Sequence, residues 1–273
     1  MSLVSTEWLL ENKDTVKIID GSWHLPSENR NSLQEYNSEH IPKAIYFDID
    51  KNSDTKTDLP HMLPNKDIWE EIMSSMGISN NDRIVIYDCS KVLSSCRIWY
   101  TFLYFGHNKK LVSVLNGGLE GWKKNKFSTT GDQTKIIQSK YKASENKFMV
   151  KNLNEINENI DNKIFTLIDG RSKDRFEGKI KEPRDGVRTG SIKNSICIPF
   201  NEVINNDKTF KSKVELKIIF HNLINNINNN SMVFSCGSGI TSCVLALAYS
   251  LINNNYNPTI YDGSWAEYGK IFK

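Results

Sequence analysis

The chain repeats itself, and this constrains its fold more than any other feature. Ile19-Asp20-Gly21 returns 149 positions later as Ile168-Asp169-Gly170. Ser95-Cys96 returns 147 positions later as Ser242-Cys243, and Asn116-Gly117-Gly118 resembles Asp262-Gly263-Ser264 at an offset of 146. Three anchors at nearly one offset imply two copies of one unit. Four short apolar, β-branched runs lie in the first half: Val16 to Asp20, Ala44 to Asp48, Ile84 to Asp88 and Leu111 to Leu115. Four more follow: Ile164 to Asp169, Ser195 to Phe200, Met232 to Ser235 and Thr259 to Tyr261. Such runs, bounded by polar and turn residues, read as parallel strands buried on both faces. Between them, Ile68, Trp69, Ile72, Met73 and Met76 share one helical face, as do Leu216, Ile219, Phe220 and Leu223. The expected fold is α/β, with two tandem units, each a parallel sheet flanked by helices. The expected boundaries are 1–125, a polar linker at 126–150, and 151–273. A length of 273 residues agrees, since domains average about 150 residues.

Composition removes several classes of function. Hydrophobic residues are 38% of the chain and charged residues 25%, an ordinary globular balance. A net charge of +3 is too small to point to nucleic acid. No apolar run approaches the roughly 18 residues of a membrane span. Residues 1–10 are too polar for the apolar core of a secretory signal. The five cysteines (Cys89, Cys96, Cys197, Cys236 and Cys243) are odd in number and none sits in a CxxC pair. Neither a disulfide framework nor a zinc site is expected; reduced thiols in the cytoplasm fit better. Cys96 and Cys243 fall at equivalent early helix positions and read as packing residues, and Cys197 as a buried strand residue. The asparagine-rich stretch Asn222 to Asn230 reads as a loop without assigned function.

The chemistry concentrates at Met232 to Thr241, where an apolar strand ends in Cys236-Gly237-Ser238-Gly239-Ile240-Thr241 and an apolar helix follows. Glycines let the backbone curl so that several amides point inward. The loop also opens a helix N-terminus, where partial positive charge favours an anion. A thiol there is expected to have a depressed pKa, and the carboxyl end of a strand is where α/β sheets bind ligands. A cysteine phosphatase needs an arginine six residues after its cysteine to hold phosphate; here that position is Ser242. No histidine adjoins Cys236. Phosphoryl transfer and cysteine-protease chemistry are therefore not supported.

This loop resembles the active loop of the 3-mercaptopyruvate sulfurtransferases, in the rhodanese superfamily. The resemblance covers nearly the whole chain. In the first half it is carried by Asp20-Gly21-Ser22-Trp23, His40-Ile41-Pro42-Lys43-Ala44, Phe47-Asp48-Ile49-Asp50, His61-Met62-Leu63-Pro64 and Asn116-Gly117-Gly118-Leu119. In the second half it is carried by Asp169-Gly170-Arg171, Arg175-Phe176-Glu177-Gly178, Glu182-Pro183-Arg184-Asp185-Gly186 and Tyr261-Asp262-Gly263-Ser264-Trp265. It implies two tandem rhodanese-like domains, the first non-catalytic and the second catalytic. Thiosulfate-using relatives resemble Cys-Arg-Lys-Gly, with cations facing a dianion; the neutral loop here resembles the mercaptopyruvate branch.

The resemblance implies that Cys236 takes sulfur as a persulfide and passes it to a thiol acceptor such as thioredoxin, a small thiol or cyanide, releasing pyruvate. It implies no metal and no organic cofactor. Residues alone leave Arg175 and Arg184 either solvated or paired with Asp174, Glu177 and Asp185; the resemblance makes them the carboxylate-binding pair. Arg171 and Arg188 are then structural neighbours. Amides of Gly237, Gly239, Ile240 and Thr241 cradle the sulfur. Ser238 relays a proton or shapes the loop, and Thr241 donates to the substrate or caps the helix. His40 matches a histidine assigned to proton transfer, with a structural turn residue as the alternative, and Trp23 an aromatic near the site, with a core contact as the alternative. Cys89 aligns with Cys236, but its loop, Cys89 to Ser94, lacks glycine and the same cradle. Two other readings compete: a thiosulfate sulfurtransferase, and a rhodanese module that binds without catalysis.

Overall fold

The computed structural model describes residues 2–224 and 231–270, with backbone alone at 222–224. The side chain of Leu223 and the asparagine stretch from 222 to 230 lie outside what is described. The chain divides into two compact units. The first comprises Met1–Thr55, Leu63–Asn146 and Asn206–Thr209, and the second Lys56–Met62, Lys147–Asn205 and Phe210–Lys273.

The first sheet contains β1 (Leu3–Val4), β2 (Lys17–Asp20), β3 (Ala44–Tyr46), β4 (Ile84–Tyr87) and β5 (Val112–Leu115), in the order β1-β5-β4-β2-β3. The second contains β6 (Val150–Lys151), β7 (Phe165–Asp169), β8 (Ile196–Cys197), β9 (Ser231–Ser235) and β10 (Ile260–Tyr261), in the order β6-β10-β9-β7-β8. The two orders coincide strand for strand, and every pairing is parallel. The repeat seen in the sequence is thus a repeat of topology. Eight strands coincide with the eight apolar runs. The other two, β1 and β6, have two residues each, too short to leave a periodic signal.

The central strands β4 and β7 are buried throughout, and β9 from Met232 on, because helices cover both faces. One face of the first sheet packs Val4, Leu9, Ile18, Val85, Leu115 and Trp122. Trp69 stacks on Phe105 and meets Phe102 and Phe47 edge-on. In the second unit, Ile156, Phe165, Leu167, Val233, Tyr261 and Trp265 form a core cluster. Side chains supply the helix caps: Asn65 Oδ1 accepts from the Ile68 N–H, and Asn152 and Glu155 form a reciprocal capping box.

Two sequence expectations change. Residues 126–146 do not form a free linker. They lie along the first unit, where Tyr141 and Ala143 are buried, the Ser139 N–H donates to the Ser74 carbonyl, and the Ala143 N–H donates to Glu70. A polar stretch can do this because its backbone groups find partners in the elements it crosses. Cys197 is only half-buried, since it ends the edge strand β8, whereas Cys96 and Cys243 are fully buried in their helices.

Candidate active site

The second unit builds the site at the carboxyl ends of β7 and β9. Cys236 follows β9 directly and is 2% exposed. The loop after it turns through Gly239 at φ +79°, a left-handed conformation that only glycine adopts without strain. It leads into the helix Thr241–Ile252. Both faces of the loop are secured. The Trp265 N–H donates to the Cys236 carbonyl at 2.9 Å and the Ala266 N–H to the Gly237 carbonyl at 3.0 Å. The Cys236 N–H donates to Ser264 Oγ at 3.2 Å.

Burial pushes the Cys236 thiol up. The hydroxyl of Thr241 and the backbone N–H groups of Ser238 and Ser242 oppose that push, and the net result lies below the ordinary thiol range. Hydrogen bonds to the charged form therefore outweigh burial at this sulfur.

Arg175, on the short helix Lys173–Phe176, reaches over the loop: a Cβ placed on Gly237 would lie 3.0 Å from its Nη2. Glycine at 237 is what allows the cation this close to the backbone. Glu182 holds the guanidinium, accepting from Nε at 3.2 Å and from Nη2 at 2.5 Å. Glu182 is itself buried and also accepts from Arg171 Nη1 at 2.8 Å. Arg171 is fixed in turn by Asp169, at the end of β7, and by the Gly190 carbonyl. A chain of charges thus runs from the sheet to the loop. Arg171 also lies 4.4 Å over the Trp265 ring and Arg188 5.1 Å over it, so both are structural, as expected. Glu182, rather than Asp174, Glu177 or Asp185, is the carboxylate that pairs with Arg175. Arg184 lies partly exposed nine residues along.

Ser238 has a partner that motif reading did not assign. His61, in the segment 56–62 that belongs to the second unit, places Nδ1 3.0 Å from Ser238 Oγ. Both side chains are buried. The sequence contained a signal only as His61-Met62-Leu63-Pro64, one motif among many in the resemblance.

Trp23 and His40 belong to the first unit. The Trp23 indole donates to Asp50 at 2.9 Å. His40 is fully buried, stacks on Tyr36, and sets Nδ1 2.6 Å from the Tyr36 carbonyl. That is the environment of a packed turn residue, the alternative reading of His40.

At the equivalent position of the first unit, Cys89 follows β4. Its environment is opposite: burial pushes this thiol up to about 11, and Asp20, Asp88 and Glu35 add to the push.

A twice-repeated parallel sheet with a buried cysteine loop after the fourth strand of the second copy defines a tandem rhodanese-type protein. The chain matches the rhodanese-like domain family at residues 5–125 and 152–270 and belongs to it. Within that family it is a sulfurtransferase enzyme. It is 38% identical to thiosulfate/3-mercaptopyruvate sulfurtransferase 1, mitochondrial, of Arabidopsis thaliana, covering 97% of this chain and 75% of the relative. It is 34% identical to the 3-mercaptopyruvate sulfurtransferase of Mus musculus, covering 98% and 91%. The crystal structure of SseA from Escherichia coli, titled as a 3-mercaptopyruvate sulfotransferase, superposes with a TM-score of 0.86 at 30% identity, covering 97% of this chain and 99% of that one. Among the described residues, no helix is long and apolar enough to cross a membrane.

Proposed function

We propose that the chain transfers the sulfur of 3-mercaptopyruvate through a persulfide on Cys236 to a thiol acceptor, releasing pyruvate. The observation that carries this reading is the Arg175 guanidinium above Gly237, beside a thiol held below its ordinary pKa. The loop itself has no charged side chain. A single carboxylate bound by Arg175 and Arg184 therefore sits to one side of the sulfur, as the shape of this α-keto acid requires.

The Cys236 thiolate attacks the substrate sulfur. A sulfur–sulfur bond forms, the carbon–sulfur bond breaks, and its electron pair leaves on the pyruvate enolate. The proton of the substrate thiol passes by way of Ser238 and His61 to the enolate carbon, giving pyruvate and a deprotonated persulfide. Inward amides of the loop, including those of Gly237, Gly239, Ile240 and Thr241, stabilise its charge. His61, being in contact with Ser238, takes the role that motif reading offered to His40. An acceptor nucleophile (the thiolate of thioredoxin or of a small thiol, or cyanide) then attacks the outer sulfur and Cys236 leaves as thiolate. Because the chemistry needs Cys236 reduced, we assign a reducing compartment, the cytoplasm.

Intact-mass analysis after brief exposure to 3-mercaptopyruvate, with thiosulfate in parallel, tests this. One added sulfur from 3-mercaptopyruvate, absent in Cys236→Ser, is expected. A gain from thiosulfate alone reverses the donor assignment, and no gain from either favours a binding module.

A further inference from the structure

The first unit holds a second cluster, at Cys89, that the proposed reaction does not use. Three residues far apart in sequence bring their donor atoms to one point. His24 Nε2 lies 3.0 Å from Glu35 Oε2, Cys89 Sγ lies 3.4 Å from the same oxygen, and Sγ and Nε2 are 4.0 Å apart. Thiolate, imidazole and carboxylate are together the donor set of a zinc-like ion. At ordinary zinc bond lengths, three ligands of a tetrahedron lie about 3.3 to 3.6 Å apart. The observed triangle brackets those values.

We infer that His24, Glu35 and Cys89 form a binding site for a divalent, thiophilic metal ion such as Zn²⁺, with one coordination position open. Several features support the assignment. The His24 side chain is 2% exposed, and its other nitrogen, Nδ1, has no hydrogen-bond partner. Among the described residues, the hydrogen-bond contacts of this buried ring are with Glu35 and Cys89. The cluster is reachable through Glu35 and Cys89, which line a cleft of about 560 Å³ together with Ser22 and Arg30, while His24 closes it from the buried side.

Arg30 occupies the place of a cation now. Its Nε donates to Glu35 Oε1 at 2.7 Å, and its Nη2 reaches Glu35 Oε2 at 2.6 Å and Cys89 Sγ at 3.5 Å. Glu35 is held at about 2 by this contact, which offsets its burial. A metal on Oε2 leaves Oε1 to Arg30 Nε, and the half-exposed guanidinium needs only to swing Nη2 outward. The Cys89 proton is released to solvent as the metal–sulfur bond forms, so binding yields one proton per ion. Cysteine spacing could not reveal the site because topology, not a CxxC turn, assembles it: the residues follow β2, lie on the helix Ser32–Ser38 and follow β4.

The test is a Co²⁺ titration of the full chain carrying Cys236→Ser, which removes the equivalent thiol of the second unit. One equivalent is expected to produce a sulfur-to-cobalt charge-transfer band that Zn²⁺ displaces. Cys89→Ser should abolish the band. Arg30→Gln should tighten binding, because a competing cation is gone, and this opposite sign cannot come from misfolding. His24→Gln should weaken binding by about 10-fold or more. If no band forms, or if it survives Cys89→Ser, the cluster is an Arg30 ion-pair network and the inference is overturned. Weaker binding in Arg30→Gln would equally overturn it. The persulfide assay reads Cys236 and is independent of this outcome.

Discussion

Arg175 donates two hydrogen bonds to Glu182, at 3.2 and 2.5 Å, so one edge of its fork is committed before any substrate arrives. The remaining donors, chiefly on Nη1, are those left for a carboxylate. Arg175→Lys removes the fork and is expected to raise KM for 3-mercaptopyruvate by about 10- to 100-fold with a smaller change in kcat. Initial-rate kinetics decide this; an unchanged KM would remove Arg175 from substrate binding.

Glu182→Gln has a different expected signature. It takes charge from a buried carboxylate that serves both Arg171 and Arg175. Loss of one partner in a buried ion-pair network costs about 3 kcal/mol. Calorimetry should show a lowered Tm in addition to weaker substrate binding.

The equivalent thiols of the two units, Cys89 and Cys236, should separate by pH. Cys236 lies below its ordinary value of 9.0 and Cys89 near 11. As pH rises, iodoacetamide should therefore modify Cys236 first, with an inflection below 9, and Cys89 only at strongly alkaline pH. Thr241→Val removes a hydrogen bond to the thiolate and should move the Cys236 inflection up. Peptide mass spectrometry across a pH series reads both sites. Equal inflections would contradict the cradle argument.

His61→Gln should lower kcat for the first half-reaction by about 100-fold or more, while sulfur delivered by a more reactive donor, which requires no proton at carbon, is less affected. Rapid-quench mass spectrometry of persulfide formation with each donor is the measurement. Equal loss with all donors would reduce His61 to a loop support.

Gly239→Ala tests the turn. A Cβ at φ +79° costs about 1 kcal/mol or more. The variant should fold with reduced stability and lose alkylation selectivity at Cys236, because the turn that points the amides inward must relax.

Much of this was readable from residues in order. The doubled topology announced itself through Ile19-Asp20-Gly21 and Ile168-Asp169-Gly170, and the Cys236 loop through local spacing, because strand, turn and helix cap act over a few residues. What escaped was set at long range. His61 meets Ser238 across 177 positions. Glu182 was one of several carboxylates near Arg175, and only the fold chooses among them. The strands β1 and β6 carry too few residues for periodicity, and residues 126–146 looked like linker because their partners are backbone groups elsewhere.

The Cys236 and Gly237 carbonyls are both taken up by the N–H groups of Trp265 and Ala266. The oxygen side of the loop is therefore turned away and satisfied, and the sulfur meets the nitrogen side. The loop acts as a one-sided surface, hospitable to growing negative charge and indifferent to which sulfur carries it. A chain that must hold first one sulfur and then two, without reshaping itself between the steps, gains from that indifference. The same scaffold can serve as the resting state and as the loaded carrier.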